Sequence, residues 1–505
     1  MEVAFVAFGV TAVVIAVWAL FLKRPSHPYP PGPSRLPLIG NLLDWPFESG
    51  WVKFTQWAHE YGDIVHIEIL GMHIAILNTY EVSQALLSQS MYSDRPYLAM
   101  AGDLMGFLPS IILAPYGDHW KAMRKLTQKY LNKSASRAFW DSQVADARLL
   151  LRMLLDRPED YRILIPYVVG KNIVENAYGL QIDSPSSKYI RLSKQTHDSI
   201  QHAVMPGSFV VDVFPILRHI PAWFPGAGFK KLARIARARG VEMVNGAFNE
   251  VKQTMAQGKA RDSLAATLLR DTSQKQGSDE EYEHTVMWAV GSLYGAGTES
   301  NASSLATFLM MMAMHPDIQA KAHEELDRVV GSERLPAMDD RESLPYIDAI
   351  VKETLRYHPP TPMGIAHRLL KDDVYEGYYL PKGCIVLSNI WGMSRDARRY
   401  QDPSSFRPER FLQTSEGGGE PDPTAQVFGF GRRACPGTHY SLATLYITIA
   451  SLLATYDIKM PEKTGAEQPG GPGFTGGFVS HPKKFSCQIS PRSPAAEALI
   501  RASKD

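Results

Sequence analysis

Residues 428–440 read FGFGRRACPGTHY. The chain has 505 residues and only three cysteines, and one of them, Cys435, sits in this glycine- and arginine-rich loop. In the stretch that follows, Leu442, Leu445, Ile449, Leu452 and Leu453 recur at helical spacing. Cys435 is therefore predicted at a helix N-terminus, where the dipole and free N–H groups favour anionic sulfur. Arg432 and Arg433 add positive charge. Gly429, Gly431 and Gly437 let the backbone approach a flat ligand closely.

Three uses of such a thiolate compete: nucleophile, metal ligand and inert core sulfur. A nucleophile wants a nearby histidine base, and His439, four residues on, is a weak candidate. A core cysteine needs neither the glycines nor the arginines. A thiolate bound axially to haem iron needs the whole set: anionic sulfur, room for a porphyrin plane, and cations for the propionates. The spacing Phe428-x-x-Gly431-x-x-x-Cys435-x-Gly437 resembles the haem loop of the cytochrome P-450 family. That resemblance implies haem b with Cys435 as the axial iron ligand. It also implies a mainly α fold with a smaller β region, the haem lying between a long distal helix and the proximal cysteine-loop helix. Cys384 and Cys487 lack this context and read as structural.

Other motifs occur in the order the family requires. ETLR places Glu353 and Arg356 three apart on a helix expected over 345–357, so their side chains can meet. FRPERF, residues 406–411, follows. In this family the arginine of that motif, here Arg410, joins the pair in a buried network beneath the haem loop. WKAMR puts Trp120 and Arg124 one turn apart, which resembles the propionate-binding helix. His367 and Arg433 occupy two further positions that hold propionates in similar proteins. The segment Ala296-Gly297-x-Glu299-Ser300-Asn301 resembles the distal small-Gly-x-acid-alcohol motif. There Gly297 leaves space for dioxygen, and Glu299 and Ser300 hold a water chain that delivers protons. Serine stands where threonine is usual, and a helical serine bonded to the carbonyl four residues back is the structural alternative.

The N-terminus carries no charge from Val3 to Leu22, about 20 residues and enough to span roughly 30 Å as a helix. Lys23 and Arg24 follow it, so the positive-inside rule puts the body in the cytosol. A cleaved signal peptide fits poorly, because the basic residues follow the apolar run. The expected organisation is a transmembrane anchor at 1–23, a Pro-rich hinge at 24–34, a haem-thiolate domain at 35–491 and a disordered tail at 492–505. This predicts a single-pass endoplasmic reticulum protein with a cytosolic catalytic domain. The composition, 45% hydrophobic, 21% charged and +1 net, gives no footprint for nucleic acid. The stretch at 63–78 reads as two strands around Gly71.

No flavin or nicotinamide segment is legible, so the resemblance implies electrons from a membrane-bound NADPH-cytochrome P-450 reductase. Lys121, Lys125 and Lys129 form a row that docks an acidic partner or is simply a solvated face. By resemblance, substrate contacts fall at 95–113, 205–215, 292–297, 361–366 and 474–478, all mostly apolar, which predicts a hydrophobic, uncharged substrate. The segment 221–231, with Trp223 and Phe224, dips into a membrane surface or is a packed turn. The motifs are most similar to the fungal secondary-metabolism group around O-methylsterigmatocystin oxidoreductase, which implies oxidation of a terpenoid or aromatic metabolite. Two rivals remain: a haem-thiolate isomerase or dehydratase that does not use dioxygen, and a non-catalytic membrane-anchored haem protein.

Overall fold

The computed structural model describes residues 26–503 apart from 272, 274, 276, 414–417 and 462–472. The expected transmembrane helix at 1–23 lies outside the described residues. Among those described, no helix is long and apolar enough to cross a membrane. The described part of the proline-rich stretch, 26–34, is hydrogen-bonded to the body. The Pro31 carbonyl accepts from the His66 N–H at 2.9 Å, and the Pro28 carbonyl accepts from that of Tyr379 at 2.8 Å. Gly32 packs so tightly that a Cβ there would meet the His66 carbonyl oxygen at 2.0 Å.

Helix α1 (Gly50–Tyr61) leads into strands β1 (Ile64–Ile69) and β2 (Met72–Leu77). They pair antiparallel, with Ile69 opposite Met72, around Leu70 and Gly71. Both turn residues have positive φ, 50° and 82°, as a two-residue hairpin with matching twist requires. Later in the chain come β3 (His367–Arg368), the hairpin β4 (Asp373–Tyr375) and β5 (Tyr378–Leu380), and β6 (Ile385–Ser388). The main sheet has the order β1-β2-β6-β3, with β2 and β6 parallel. This sheet sets His367 opposite Val386 and so fixes its position.

Helices make up most of the rest. The longer ones that frame the site are α2 (Asp118–Leu131), α3 (Trp140–Asp156), α4 (Tyr161–Tyr178), α5 (Lys188–Ile200), α6 (Asp279–Met314), α7 (Pro316–Val329), α8 (Pro345–Tyr357) and α9 (Thr438–Thr455). Helix α6 is 36 residues long, about 54 Å at 1.5 Å per residue. It begins on a capping box between Ser278 and Glu281, which satisfies two of its free N–H groups. It packs most extensively on α4 and also meets α2, α5, α8 and α9. Its residues are buried on most sides, from Val286 through Met310, Met311 and Met312, so it is a core rod and not a surface helix. Pro316 and Pro345 open α7 and α8 at the first turn, where a missing N–H costs nothing.

Strands β7 (Tyr456–Lys459) and β8 (Gln488–Pro491) pair after α9. Residues 492–503 of the stretch expected to be a frayed tail at 492–505 are ordered. Ser493 caps a helix, α10 (Pro494–Ala502), through the Ala496 N–H. Ile500 is fully buried, and Arg492 pairs with Asp327 on α7 at 2.6 Å. The Ser-Pro start is an N-cap followed by proline at the first helical position, and it orders the segment.

Candidate active site

The Cys435 loop leaves a one-turn helix at Thr424–Val427 and closes on itself, with the Cys435 N–H donating to the Phe428 carbonyl at 2.7 Å. Gly437 then caps α9, and the Ser441 N–H donates to the Gly437 carbonyl at 2.8 Å. The loop thus presents Cys435 one turn ahead of α9, as the sequence predicts. The sulfur opens into an internal cavity of about 360 Å³. Cys384 is buried and Cys487 half-buried, and neither lines that cavity. Burial pushes both their thiols up to about 12, which keeps them protonated. Burial also raises Cys435, but the Gly437 N–H, Arg124 and Thr438 pull it back.

One end of the cavity is cationic. Trp120, Arg124, His367 and Arg433 all line it, and so does Arg95, which the sequence reading missed. Arg433 donates to the carbonyls of Ser93 at 2.7 Å, Ile111 at 3.2 Å and Ala114 at 2.8 Å, and its guanidinium lies 4.2 Å from the centre of a Trp120 ring. Arg95 donates to the carbonyls of Ile112, Ile365 and Ala366. The Arg124 guanidinium makes no hydrogen bond to any described residue. Burial lowers all three, Arg433 to about 10, and the neighbouring Arg433 charge adds to the effect on Arg95. His367 accepts or donates only through Nδ1, at 2.7 Å from the Tyr92 carbonyl. Since a carbonyl can only accept, Nδ1 carries the proton and Nε2 is the free nitrogen. Burial and the Arg95 charge hold this ring neutral.

Among the described residues, Glu299 is the one acidic side chain lining the cavity. Three guanidinium groups therefore converge with no ion pair to a carboxylate among the described residues; Asp94, whose charge reaches Arg95 and Arg433, is itself paired with Arg368. A haem fits this donor set, with a thiol on one wall, unmatched cations for two propionates and apolar walls between.

The loop glycines divide in role. Gly429 and Gly437 line the cavity, but Gly431 does not. A Cβ at Gly431 would meet the Leu87 carbonyl oxygen at 2.2 Å, and its φ is +56°. The small residue there is required by the backbone of the preceding Tyr80–Leu87 helix. Phe428 does line the cavity.

Behind the loop, Glu353, Arg356 and Arg410 meet as the sequence predicts. Glu353 accepts from Arg356 Nε at 2.6 Å and Nη2 at 2.8 Å, and from Arg410 Nε at 3.2 Å. The two arginines also bind the carbonyls of Ser394, Gln401, Asp402, Pro403 and Ser405. Glu420 takes Arg410 Nη1 at 2.6 Å. Glu353 and Arg356 are fully inaccessible to solvent.

On α6 the cavity meets Ser292, Gly295, Ala296, Gly297, Glu299 and Ser300. The Ser300 hydroxyl donates to the Ala296 carbonyl at 3.0 Å, the four-back bond named as the structural alternative. Asn301 donates to the Gly297 carbonyl at 2.8 Å and accepts from Ser441, joining α6 to α9. Burial pushes Glu299 up, yet the His481 hydrogen bond and the His197 and Lys194 charges outweigh it and hold the carboxyl below its ordinary value.

The apolar walls come largely from the expected stretches, with Phe107, Ile111 and Ile112 in 95–113, Thr361, Gly364 and Ile365 in 361–366, and Phe478 in 474–478. The stretch 205–215 is a correction. None of it lines this cavity; His197, Ile200, Gln201 and Val204 do so from α5 and the turn after it. Asp212 is instead committed to the Met100 N–H at 2.8 Å. Phe474 also turns away and stacks on His358.

The family model for cytochrome P450 matches residues 30–489. The chain is similar to cytochrome P450 monooxygenase claR of Ampulloclitocybe clavipes, 38% identical over 503 residues, which cover 97% of this chain and 92% of that protein. It is 38% identical to cytochrome P450 monooxygenase 98 of Postia placenta, over 98% of this chain and 96% of the other. Cytochrome P450 monooxygenase ple1 of Rhodocybe pseudopiperita is 34% identical, over 97% and 95% respectively.

Proposed function

The chain belongs to the cytochrome P450 monooxygenase family, whose cofactor is haem with an axial cysteine thiolate, and on that premise we propose that it hydroxylates or otherwise oxidises a hydrophobic, uncharged small molecule. One oxygen atom of dioxygen enters the substrate and the other leaves as water, with two electrons from a separate NADPH-dependent reductase. The carrying observation is that one cavity holds Cys435, apolar walls and three arginines with no ion pair to a carboxylate among the described residues.

When bound, the haem supplies dioxygen reduction and the oxidising power for the substrate. Cys435 would hold its iron. Arg95, Arg124 and Arg433, which line the same cavity, would hold the propionates by charge-assisted hydrogen bonds, with Trp120 and His367 beside them. Glu353, Arg356 and Arg410 fix the backbone on which the cysteine loop rests. The apolar side chains orient the substrate and exclude bulk water. Glu299 is ionised and accessible from the cavity, so it can pass a proton from water to the Ser300 hydroxyl side of α6. Ser300 takes part by releasing its bond to the Ala296 carbonyl.

Substrate class, terpenoid or aromatic, rests on the resemblance to fungal metabolite oxidases and on the apolar lining. A membrane setting is supported by the apolar run at 3–22 and by Trp223, which is 80% exposed. For the reductase, Lys121 and Lys129 already pair with Asp118 and Asp271, so Lys125 is the freest of the row. The reading is tested by reduced, carbon-monoxide-bound spectra and by NADPH-dependent turnover with a reductase. Cys435→Ala is expected to abolish both the thiolate Soret band and turnover, while Cys384→Ala keeps the band. A band that survives Cys435→Ala, or product formed without NADPH and dioxygen, defeats the reading.

A further inference from the structure

Three side chains from separate segments converge beside the cavity: His197 near the end of α5, Glu299 on α6, and His481 in the loop before β8. Glu299 Oε2 lies 3.3 Å from His481 Nε2, and one ligating atom from each of the three lies within 4.8 Å of the others. All three are half-buried, and His197 and Glu299 line the cavity. We propose that His197, Glu299 and His481 form a second metal site, distinct from the haem iron, for a divalent cation of the zinc class.

The donor set is the first argument. Two imidazoles and one carboxylate suit zinc and its transition-metal neighbours, and they do not suit calcium or magnesium, which prefer all-oxygen sites. Spacing is the second. A cation held at about 2.0–2.2 Å from each ligand sets them roughly 3.3–3.5 Å apart. The Glu299–His481 separation already meets this. Bringing the remaining pairs in from at most 4.8 Å is a closure of up to about 1.5 Å, within reach of side-chain rotation at His197 and Glu299.

An ion pair between His481 and Glu299 accounts for only two of the three groups. It leaves the His197 ring facing the same carboxylate with no hydrogen bond to any described residue. The remaining charges that act on the cluster, Lys194 and Asp198, are both on α5 and of opposite sign. Water from the cavity completes the coordination.

The test uses the full chain in detergent, haem-loaded, stripped with a chelator and dialysed against zinc alone, with zinc and iron counted by emission spectrometry. One zinc per haem is expected. His481→Ala and His197→Ala should each weaken zinc by more than about a hundredfold, beyond the loss from an outer-shell partner. Their carbon-monoxide spectra should match wild type, which shows that the fold and haem are intact. His481→Gln, which preserves the side chain's bulk on its loop, is the second variant and should lose zinc equally. Zinc retained by any variant with a normal spectrum, or no zinc bound by the wild type at equimolar concentration, overturns the proposal.

Discussion

Gln426 Nε2 donates to the Ser394 hydroxyl at 3.0 Å, which links the turn before the cysteine loop to the residue whose carbonyl binds Arg356. Gln426 is fully buried, and its own carbonyl takes the Gly429 N–H at 3.0 Å. Arg356 of the charged network and Gly429 of the loop are therefore three hydrogen bonds apart. Glu353→Ala would leave Arg356 and Arg410 buried without their shared carboxylate. A loss of about 3–5 kcal/mol is expected, with little haem-loaded protein recovered. Gln426→Ala should cost about 1–3 kcal/mol. Chemical denaturation of the two variants checks the order.

The arginines of the cavity should separate by what else they hold. Arg124 has no protein hydrogen bond to lose, so Arg124→Ala should leave apoprotein stability nearly unchanged and speed haem dissociation. Arg433→Ala strands the carbonyls of Ser93, Ile111 and Ala114 and unstacks Trp120. It should lower the apoprotein's melting temperature as well as haem retention. Haem transfer to apomyoglobin and thermal scans, run in parallel, read the two effects.

Gly431→Ala should behave as a folding mutation. The added methyl would sit 2.2 Å from the Leu87 carbonyl oxygen at a left-handed φ. A loss above about 2 kcal/mol is expected, visible without any haem. Gly437→Ala meets nothing closer than the Cys435 sulfur at 3.8 Å, so its effect should appear mainly in the haem spectrum.

Buried neutral histidines predict acid sensitivity above the carboxylate range. Burial, with the neighbouring His73 charge, lowers His66 to about 3, and burial lowers His323 to about 4. Both bind a proton in the unfolded chain near pH 6.5 and not in the folded one. Their contribution is whole above that pH and is lost as pH falls through 6.5 toward 4 and then 3, by about 1.4 kcal/mol per pH unit for each. Denaturation between pH 7 and 5 should show this slope, and His66→Gln should reduce it by one histidine's share.

The parts of the site that were legible in the sequence are those written in short contiguous motifs. Cys435, Gly437 and the α9 stripe lie within one run, and Glu353 and Arg356 are one helical turn apart, so spacing alone brings them together. Arg95 reaches the cavity through contacts to carbonyls some 270 residues away in sequence, and His197 meets His481 only through tertiary packing. No local pattern encodes either. At Gly431 the sequence records that space is needed and not that the Leu87 carbonyl fills it. The C-terminal helix was legible in principle, since Ser493 and Pro494 are a start signal, but its charged, alanine-rich composition masked the core contacts at Ala496, Leu499 and Ile500.

Helix α6 also acts as a measuring rod. Gly291 and Ser304 both border the cavity and lie thirteen residues apart, about 20 Å along an uninterrupted helix. Ser292 is pinned by the Ile111 N–H and the Trp288 carbonyl, about 12 Å from Ser300. The residues between them that border the cavity are mostly small, so this wall is a straight row of closely approachable backbone at fixed steps of about 1.5 Å.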